Sequence, residues 1–509
     1  MSFKLIKSLS LALALAASLS AAVPSSVKLS NESGAPAALV GLSGAGFGPI
    51  ETIDLFFDAA KIGTTPSGPD GTFSANIRIP RLAAYGPHTI TAQGESSGLK
   101  AGESFSVSVN WPQFHFQPTR TGLNPSETLL SPANVSRLRQ SWVGIMGDLV
   151  DFSSPAVVNG VAYIGSTDGF LYAFNATGCG SSSCEPLWKG DTGGNDSIYS
   201  SPAVINGMVY VGSNNHKLLA FTAGGCGMNI CEPVWTGTLG GSVLESGPAV
   251  ANGVVYVGAF DKLLYAFNAA GCGQSTCAPI WTGATGGKIT SSPAVANGTV
   301  FVGSNDGKLY AFNASGCGGS TCSPTWTAQA GSSTSESSPA VANGVVYVGS
   351  FDRNLYAFKA SGCGHSTCQP LWKGTTGDAI ESSPAVGGGL VFVGSDDGLL
   401  NAFSAAGCGQ STCLPLWKGI ATGEQAAVLS GPAMANGVVY VGENNGQVLG
   451  YNARGCGQSI CSPLWSGLIQ NEPIVSSSPV VVNGTVYVGS ADQLAPPIGR
   501  LYVYKLPGH

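Results

Sequence analysis

With 73 glycines among 509 residues and only 10% charged side chains, the chain suits many short strands joined by tight turns. Long helices would want Glu, Lys and Arg on their exposed faces. The formal charge is −6 and no run of five basic residues occurs, which argues against nucleic acid as a partner.

In chain order, residues 1–22 read as a signal peptide. Lys4 and Lys7 form the positive start, Leu9 to Leu19 the apolar stretch, and Ser20-Ala21-Ala22 a cleavage site of small residues before Val23. A membrane anchor is the alternative, but the stretch is short for a span of about 30 Å and is interrupted by serines. The first cysteine is Cys179, so no lipid-bearing cysteine follows the leader, and nothing later reads as a membrane span. The expected product is soluble and secreted, extracellular or periplasmic.

Residues 23–110 share no repeat with the rest. Gly44-Ala-Gly-Phe-Gly-Pro, Thr52-Ile-Asp-Leu-Phe-Phe-Asp, Asp70-Gly71-Thr72-Phe73 and Pro87-His-Thr-Ile-Thr-Ala read as strands parted by Gly/Pro turns. The segment has the size of a small β-sandwich and resembles the immunoglobulin-like modules of bacterial exported proteins. Residues 111–138, rich in Pro and Asn, read as a linker.

From residue 139 to 506 one unit repeats. Its clearest copy runs Ser-Ser-Pro-Ala-Val-Ala (291–296), Asn297-Gly298, Thr-Val-Phe-Val-Gly (299–303), Asn305-Asp306-Gly307, Leu-Tyr-Ala-Phe (309–312), a cysteine loop, and Pro-Thr-Trp-Thr (324–327). Asn-Gly supplies the two residues tolerant of positive φ that a type I′ hairpin needs. The recurring aspartates 168, 261, 306, 352, 397 and 492 suit the second hairpin as turn formers. The β-branched and aromatic runs suit half-buried strands.

The fourteen cysteines form seven pairs: Cys179/Cys184, Cys226/Cys231, Cys272/Cys277, Cys317/Cys322, Cys363/Cys368, Cys408/Cys413 and Cys456/Cys461. Successive first cysteines lie 47, 46, 45, 46, 45 and 48 residues apart, the period of a four-stranded propeller blade. In an exported chain such pairs read as disulfides. Metal or haem ligation is the other reading, but each pair sits alone in its repeat and no Cys-x-x-Cys-His occurs.

The Ser-(Ser/Gly)-Pro strand occurs eight times, at prolines 155, 202, 248, 293, 339, 384, 432 and 479. The repeats begin on a Trp strand at Trp142 and end on a third strand, Leu501 to Lys505. That phase offset predicts an all-β, eight-bladed propeller in which the Trp142 strand completes the last blade. It also explains why an eighth cysteine loop is missing.

The repeat, as in Val-Tyr-Val-Gly-Ser-Phe-Asp-x-x-Leu-Tyr-Ala-Phe (346–358), resembles that of pyrroloquinoline quinone (PQQ)-type propellers. Asn134-Val135-Ser136-Arg137-Leu138 ahead of Trp142 is similar to the lead-in of quinoprotein dehydrogenases. For an enzyme of that family the resemblance implies PQQ and calcium on the axis, an Asp base and two adjacent cysteines. No Cys-Cys dipeptide or c-type haem motif is present, so no catalytic residue of that family transfers to a position here. Outer-membrane assembly propellers share the repeat without cofactor, but as lipoproteins.

Other chemistry is sparse. Of His88, His115, His216, His365 and His509, only His216 and His365 fall in the repeats, and surface positions are expected for them. The residue before each Ser-(Ser/Gly)-Pro varies: Phe152, Tyr199, Glu245, Thr290, Glu336, Glu381, Leu429 and Ser476. Glu245, Glu336 and Glu381 are therefore candidate ligands for calcium or a cationic group at the channel mouth, with solvated strand-end charges as the bland alternative.

The resulting expectation is a monomeric, non-catalytic binding or scaffold module for an extracellular protein or glycan, with no cofactor. A PQQ- and calcium-dependent oxidoreductase and a structural cell-surface component are the alternatives.

Overall fold

The computed structural model describes residues 24–194, 196–334, 336–420, 426–469, 476–492 and 498–508. The leader expected at residues 1–22 lies outside them. Among the described residues there is no α-helix, only strands and one 3₁₀ turn, Val135–Arg137. No helix among the described residues is long and apolar enough to cross a membrane.

The chain divides into two units, residues up to Ser108 and residues from Val109 onward. In the first, a three-stranded sheet (Ser26–Leu29, Leu39–Ala45, Phe73–Arg78) accompanies a five-stranded one built on Thr52–Phe57, Gly86–Gly94 and Lys100–Val107. Alternation in Thr52–Phe57 turns Ile53, Leu55 and Phe57 inward, where they join Leu42, Ile90 and Phe105 in one core.

Among the described residues the second unit holds eight five-stranded sheets. Seven inner strands run from Ala156–Val158 to Ala433–Ala435, and Val480–Val482 is the eighth. Each pairs antiparallel with a second strand across the predicted turn, where Asn159, Asn206, Asn252, Asn297 and Asn343 all have φ near +50°. A third strand and a Trp-bearing outer strand follow, as in Lys308–Asn313 and Trp326–Gln329. The hairpin aspartates behave as turn formers: Asp306 Oδ1 accepts the Lys308 N–H, and Oδ2 accepts the Tyr310 hydroxyl. The side chain of Asp492 lies outside the described residues.

Neighbouring units are joined at two depths. Near the axis, the second serine of one Ser-Ser-Pro accepts a backbone N–H from the preceding unit, as from Ser292 to Ser338 Oγ (2.9 Å). Farther out, the Tyr256 hydroxyl donates to the Ala314 carbonyl (2.9 Å). Both bonds recur where the last unit meets the first: Ser478 N–H to Ser154 Oγ (2.8 Å) and Tyr487 hydroxyl to Ala176 carbonyl (2.9 Å). Inner strands touch in chain order, and Val480–Val482 also touches Ala156–Val158. Arg139–Ile145 pairs antiparallel with Ile498–Lys505, setting Trp142 opposite Val503.

All seven cysteine pairs are disulfides within their own repeat, each with Cα atoms 5.6–5.7 Å apart, and no free cysteine remains. The loop also reaches backwards. Its second cysteine pairs in parallel with the outer strand of the preceding unit, as Cys322 with Gly283. The glycine before the first cysteine lies on the preceding tryptophan: a Cβ on Gly316, whose φ is +77°, would sit 2.7 Å from Trp281.

The two cysteines of a pair, alike in sequence, differ in place. The first of each pair is exposed, whereas Cys184, Cys231, Cys277, Cys322, Cys368, Cys413 and Cys461 are buried. The pairs are bridges as expected, and the second cysteine of each is also part of the core. Cys231, Cys277 and Cys322 join hydrophobic clusters with Trp188, Trp235 and Trp281 of the preceding units. Cys368, Cys413 and Cys461 do the same with Trp326, Trp372 and Trp417. The backward reach of the loop carries this position inside, and a bonded sulfur packs there as a small apolar group.

Candidate functional site

Residues 111–124 of the segment expected to be a linker are instead packed against the inner strands of the second unit. Trp111, Gln113, His115, Arg120 and Asn124 are all buried. The reason is a hydrogen-bonding demand. Each inner strand has a free edge whose backbone groups need a partner.

Residues 111–124 supply all eight in order. Trp111 exchanges two backbone bonds with Val157 (2.7 and 2.8 Å). Val204 N–H donates to the Pro112 carbonyl, and Val250 N–H to Gln113 Oε1. The N–H groups of Val295, Val341, Val386 and Met434 donate to the carbonyls of Pro118, Thr119, Thr121 and Gly122. In the eighth unit, Asn124 Nδ2 donates to the Val481 carbonyl (2.9 Å).

To make this circuit the chain bends sharply, with φ of +53° at His115, +77° at Phe116 and +57° at Arg120. Such strained conformations persist only where the surroundings over-determine them. Here Arg120 anchors the turn. Its guanidinium donates to the carbonyls of Phe114, Gly247, Pro248 and Pro293 at 2.6–3.0 Å. Burial pulls its pKa down, but four carbonyl dipoles and the intrinsic basicity of guanidinium keep it cationic. His115 stacks on Phe114 with ring centroids 4.3 Å apart. Burial, with the Arg120 charge beside it, pushes His115 down to about 3, so it is neutral. His216 and His365 are exposed, as expected for them.

Above this plug lies a cavity of about 40 Å³ floored by Phe114 and walled by Phe152, Glu245, Glu336, Glu381, Leu429 and Ser476. The three candidate glutamates therefore do come together, although they sit on the third, fifth and sixth inner strands. Burial first, then the charges of Asp151 and Glu381, pushes Glu245 up to about 8. Glu336 and Glu381 share a side-chain hydrogen bond, and burial with that bond raises Glu381 to about 8. Burial and the Glu245 charge raise Glu336 too. Asp151 and Asp396, missed in the sequence, rise to about 6 mainly by burial. Of the cluster, Glu245 and Glu381 stand above neutrality and hold protons there. Among the described residues no three His, Cys, Asp or Glu groups are placed to hold a metal ion.

A bound PQQ does not fit these residues. The cavity would admit a few waters, whereas pockets for ligands of that size run from roughly 300 Å³.

Comparison with known proteins agrees with the fold. A family profile described as outer membrane protein assembly factor BamB matches residues 320–500, less than half of the chain. None of the curated proteins compared with the chain matches it. Among solved structures, BamB from Moraxella catarrhalis is similar at TM-score 0.53 and 18% identity, covering 73% of this chain and 98% of that one. The quinohemoprotein alcohol dehydrogenase of Comamonas testosteroni is similar at TM-score 0.58 and 14% identity, covering 79% and 81%. A europium-containing methanol dehydrogenase is similar at TM-score 0.56 and 13% identity, covering 78% and 98%. At these identities the likeness is one of fold: an all-β protein of PQQ-like repeats.

Proposed function

We propose that the chain is an exported, non-catalytic propeller that serves as a binding or scaffold module for an extracellular or periplasmic partner. The observation that carries this reading is the filled axis. Residues 111–124 are buried among the inner strands and bond to every one of them, which leaves little room there for a cofactor. The similarity to the outer membrane protein assembly factor BamB supports the same reading. Seven intra-repeat disulfides support an oxidising compartment.

The reading includes closure of the eight units into a ring, supported by the repeated serine and tyrosine bonds at the seam. It also includes an immunoglobulin-like identity for the first unit, supported by its two sheets around one core. The dehydrogenase alternative rests on fold likeness, which does not carry activity.

The test is to offer the purified protein PQQ and calcium, with primary alcohols and an artificial electron acceptor. The expected outcome is no PQQ absorbance retained after desalting and no turnover. Chelator-sensitive turnover would overturn the proposal.

A further inference from the structure

Seven of the eight outer strands are covered on their free edge. The cysteine loop of the following unit lays a two-residue strand on each in parallel, and the edge N–H donates to a loop carbonyl. Thr282 to Ser320 and Lys418 to Ser459 (both 2.8 Å) are examples, and Val143 to Ser182 (2.9 Å) continues the pattern across the seam. The eighth outer strand, Trp465–Leu468, is different. Its sheet ends at that strand, and its fifth member, Leu123–Asn124, is added at the inner edge instead. The cover is missing because the loop that would supply it belongs to the unit assembled from both ends of the repeat array.

Three observations mark this junction. The N–H of Ser466, counterpart of Thr282 and Lys418, has no partner among the described residues. Ser466 and Leu468 are exposed, Leu468 at 67%. Tyr440 is buried with a hydroxyl that bonds nothing among the described residues, although its counterparts Tyr210, Tyr256, Tyr347 and Tyr487 each bond a carbonyl of the next unit. The lead-in Val135–Leu138 replaces only part of the missing loop. The Leu138 carbonyl accepts Trp465 Nε1–H (3.3 Å), but among the described residues no strand pairs with Trp465–Leu468 from outside.

We propose that the open edge of Trp465–Leu468 is a docking site for an extended segment of a partner protein, which adds as a short parallel strand. The inference rests on the binding reading above and names the place and kind of partner. The seven covered edges define the occupant: backbone-led pairing, an acceptor carbonyl opposite Ser466, and a small or β-branched residue such as the Thr or Ile before the second cysteine. Leu468 offers an apolar anchor. A second copy of this chain is a poor occupant, because a two-fold axis would pair this edge with itself antiparallel, whereas all seven precedents are parallel.

The probe is a fluorescent peptide with the sequence of residues 454–464, closed by its disulfide, titrated into the full-length protein and followed by anisotropy. Saturable binding of one peptide per chain is expected. Ser466→Pro, which removes only the outward N–H of an edge strand, should weaken binding by about tenfold or more, while Ser466→Ala should preserve it. Hydrogen exchange should show the Ser466 amide protected only when peptide is present. No saturable binding, or binding indifferent to Ser466→Pro in a variant of unchanged melting temperature, overturns the proposal. So does a dimer that Ser466→Pro disperses, since the occupant would then be a second copy. A failed titration leaves the axial reading standing, whereas PQQ turnover would overturn that reading without altering the edge.

Discussion

The carboxylates around the cavity beside Phe114 make stability depend on pH in a definite direction. Glu245 and Glu381 have pKa values near 8 in the folded chain against 4.5 for a free glutamate. Between those values the folded state binds more protons than the unfolded one, so stability falls as pH rises through that window. His115 acts oppositely: held near 3 against 6.5, it favours the fold as pH rises to 6.5 and adds no further change above. Two glutamates outweigh one histidine, so the melting temperature should be highest on the acid side, at about pH 4–5, and fall towards about pH 8.5. The fall should be steepest once His115 no longer offsets the glutamates. Glu381→Gln should flatten the decline and stabilise the protein at its alkaline end by about 1–2 kcal/mol. Calcium tests the cation reading of Glu245, Glu336 and Glu381 under the same conditions. No rise in melting temperature is expected, and a rise abolished by Glu381→Gln would assign the ion. Arg120 is the other decisive residue. Arg120→Ala strands four carbonyls in the core and should cost about 3–5 kcal/mol in denaturant unfolding, with the fold lost as the extreme result.

Among the elements, the cysteine loop combines a staple, a strand and a lid. The disulfide closes a five-residue separation, so replacing Cys317 and Cys322 together by Ser should cost about 2 kcal/mol. Gly316→Ala should cost about 1–3 kcal/mol with the disulfide intact, because it demands positive φ and presses a methyl onto Trp281. Thermal unfolding of the two variants separates the staple from the lid. The sequence displays the pairing of each cysteine with its partner, since compartment and spacing suffice. It conceals the parallel strand and the burial of the second cysteine, because both join Cys322 to the preceding unit and leave no local period. Residues 111–124 were concealed for another reason. Their prolines mimic a linker, and their bonding partners are backbone groups common to every repeat. Trp111, Phe114 and Phe116 were the available signal, since three aromatics in so short a stretch do not suit a solvated spacer. The convergence of three glutamates was legible because each occupies the same place in its repeat. Asp151 and Asp396 were not, because they stand one residue off that pattern or on the following hairpin.

For the whole molecule, repetition made the architecture readable, and the proposed closure gives the two termini of the repeat array unequal roles. Arg139–Ile145 is held by Ile498–Lys505 on one side and by Ser183–Cys184 on the other, so it joins the last unit to the first. Removing it exposes two sheet edges at once, and removing Leu138 with it also takes the carbonyl that accepts Trp465 Nε1–H. Residues 24–108 carry a core of their own and supply no strand to the repeats. Two truncations distinguish these roles. A chain lacking 24–108 should unfold in a single cooperative transition at the temperature of the repeat unit in the intact protein. A chain lacking 135–148 should melt several degrees lower and aggregate through its exposed edges, as light scattering would report. Equal melting temperatures for the two truncations would show that the array does not depend on that strand for its integrity, and the ring would have to be abandoned for an open stack of units.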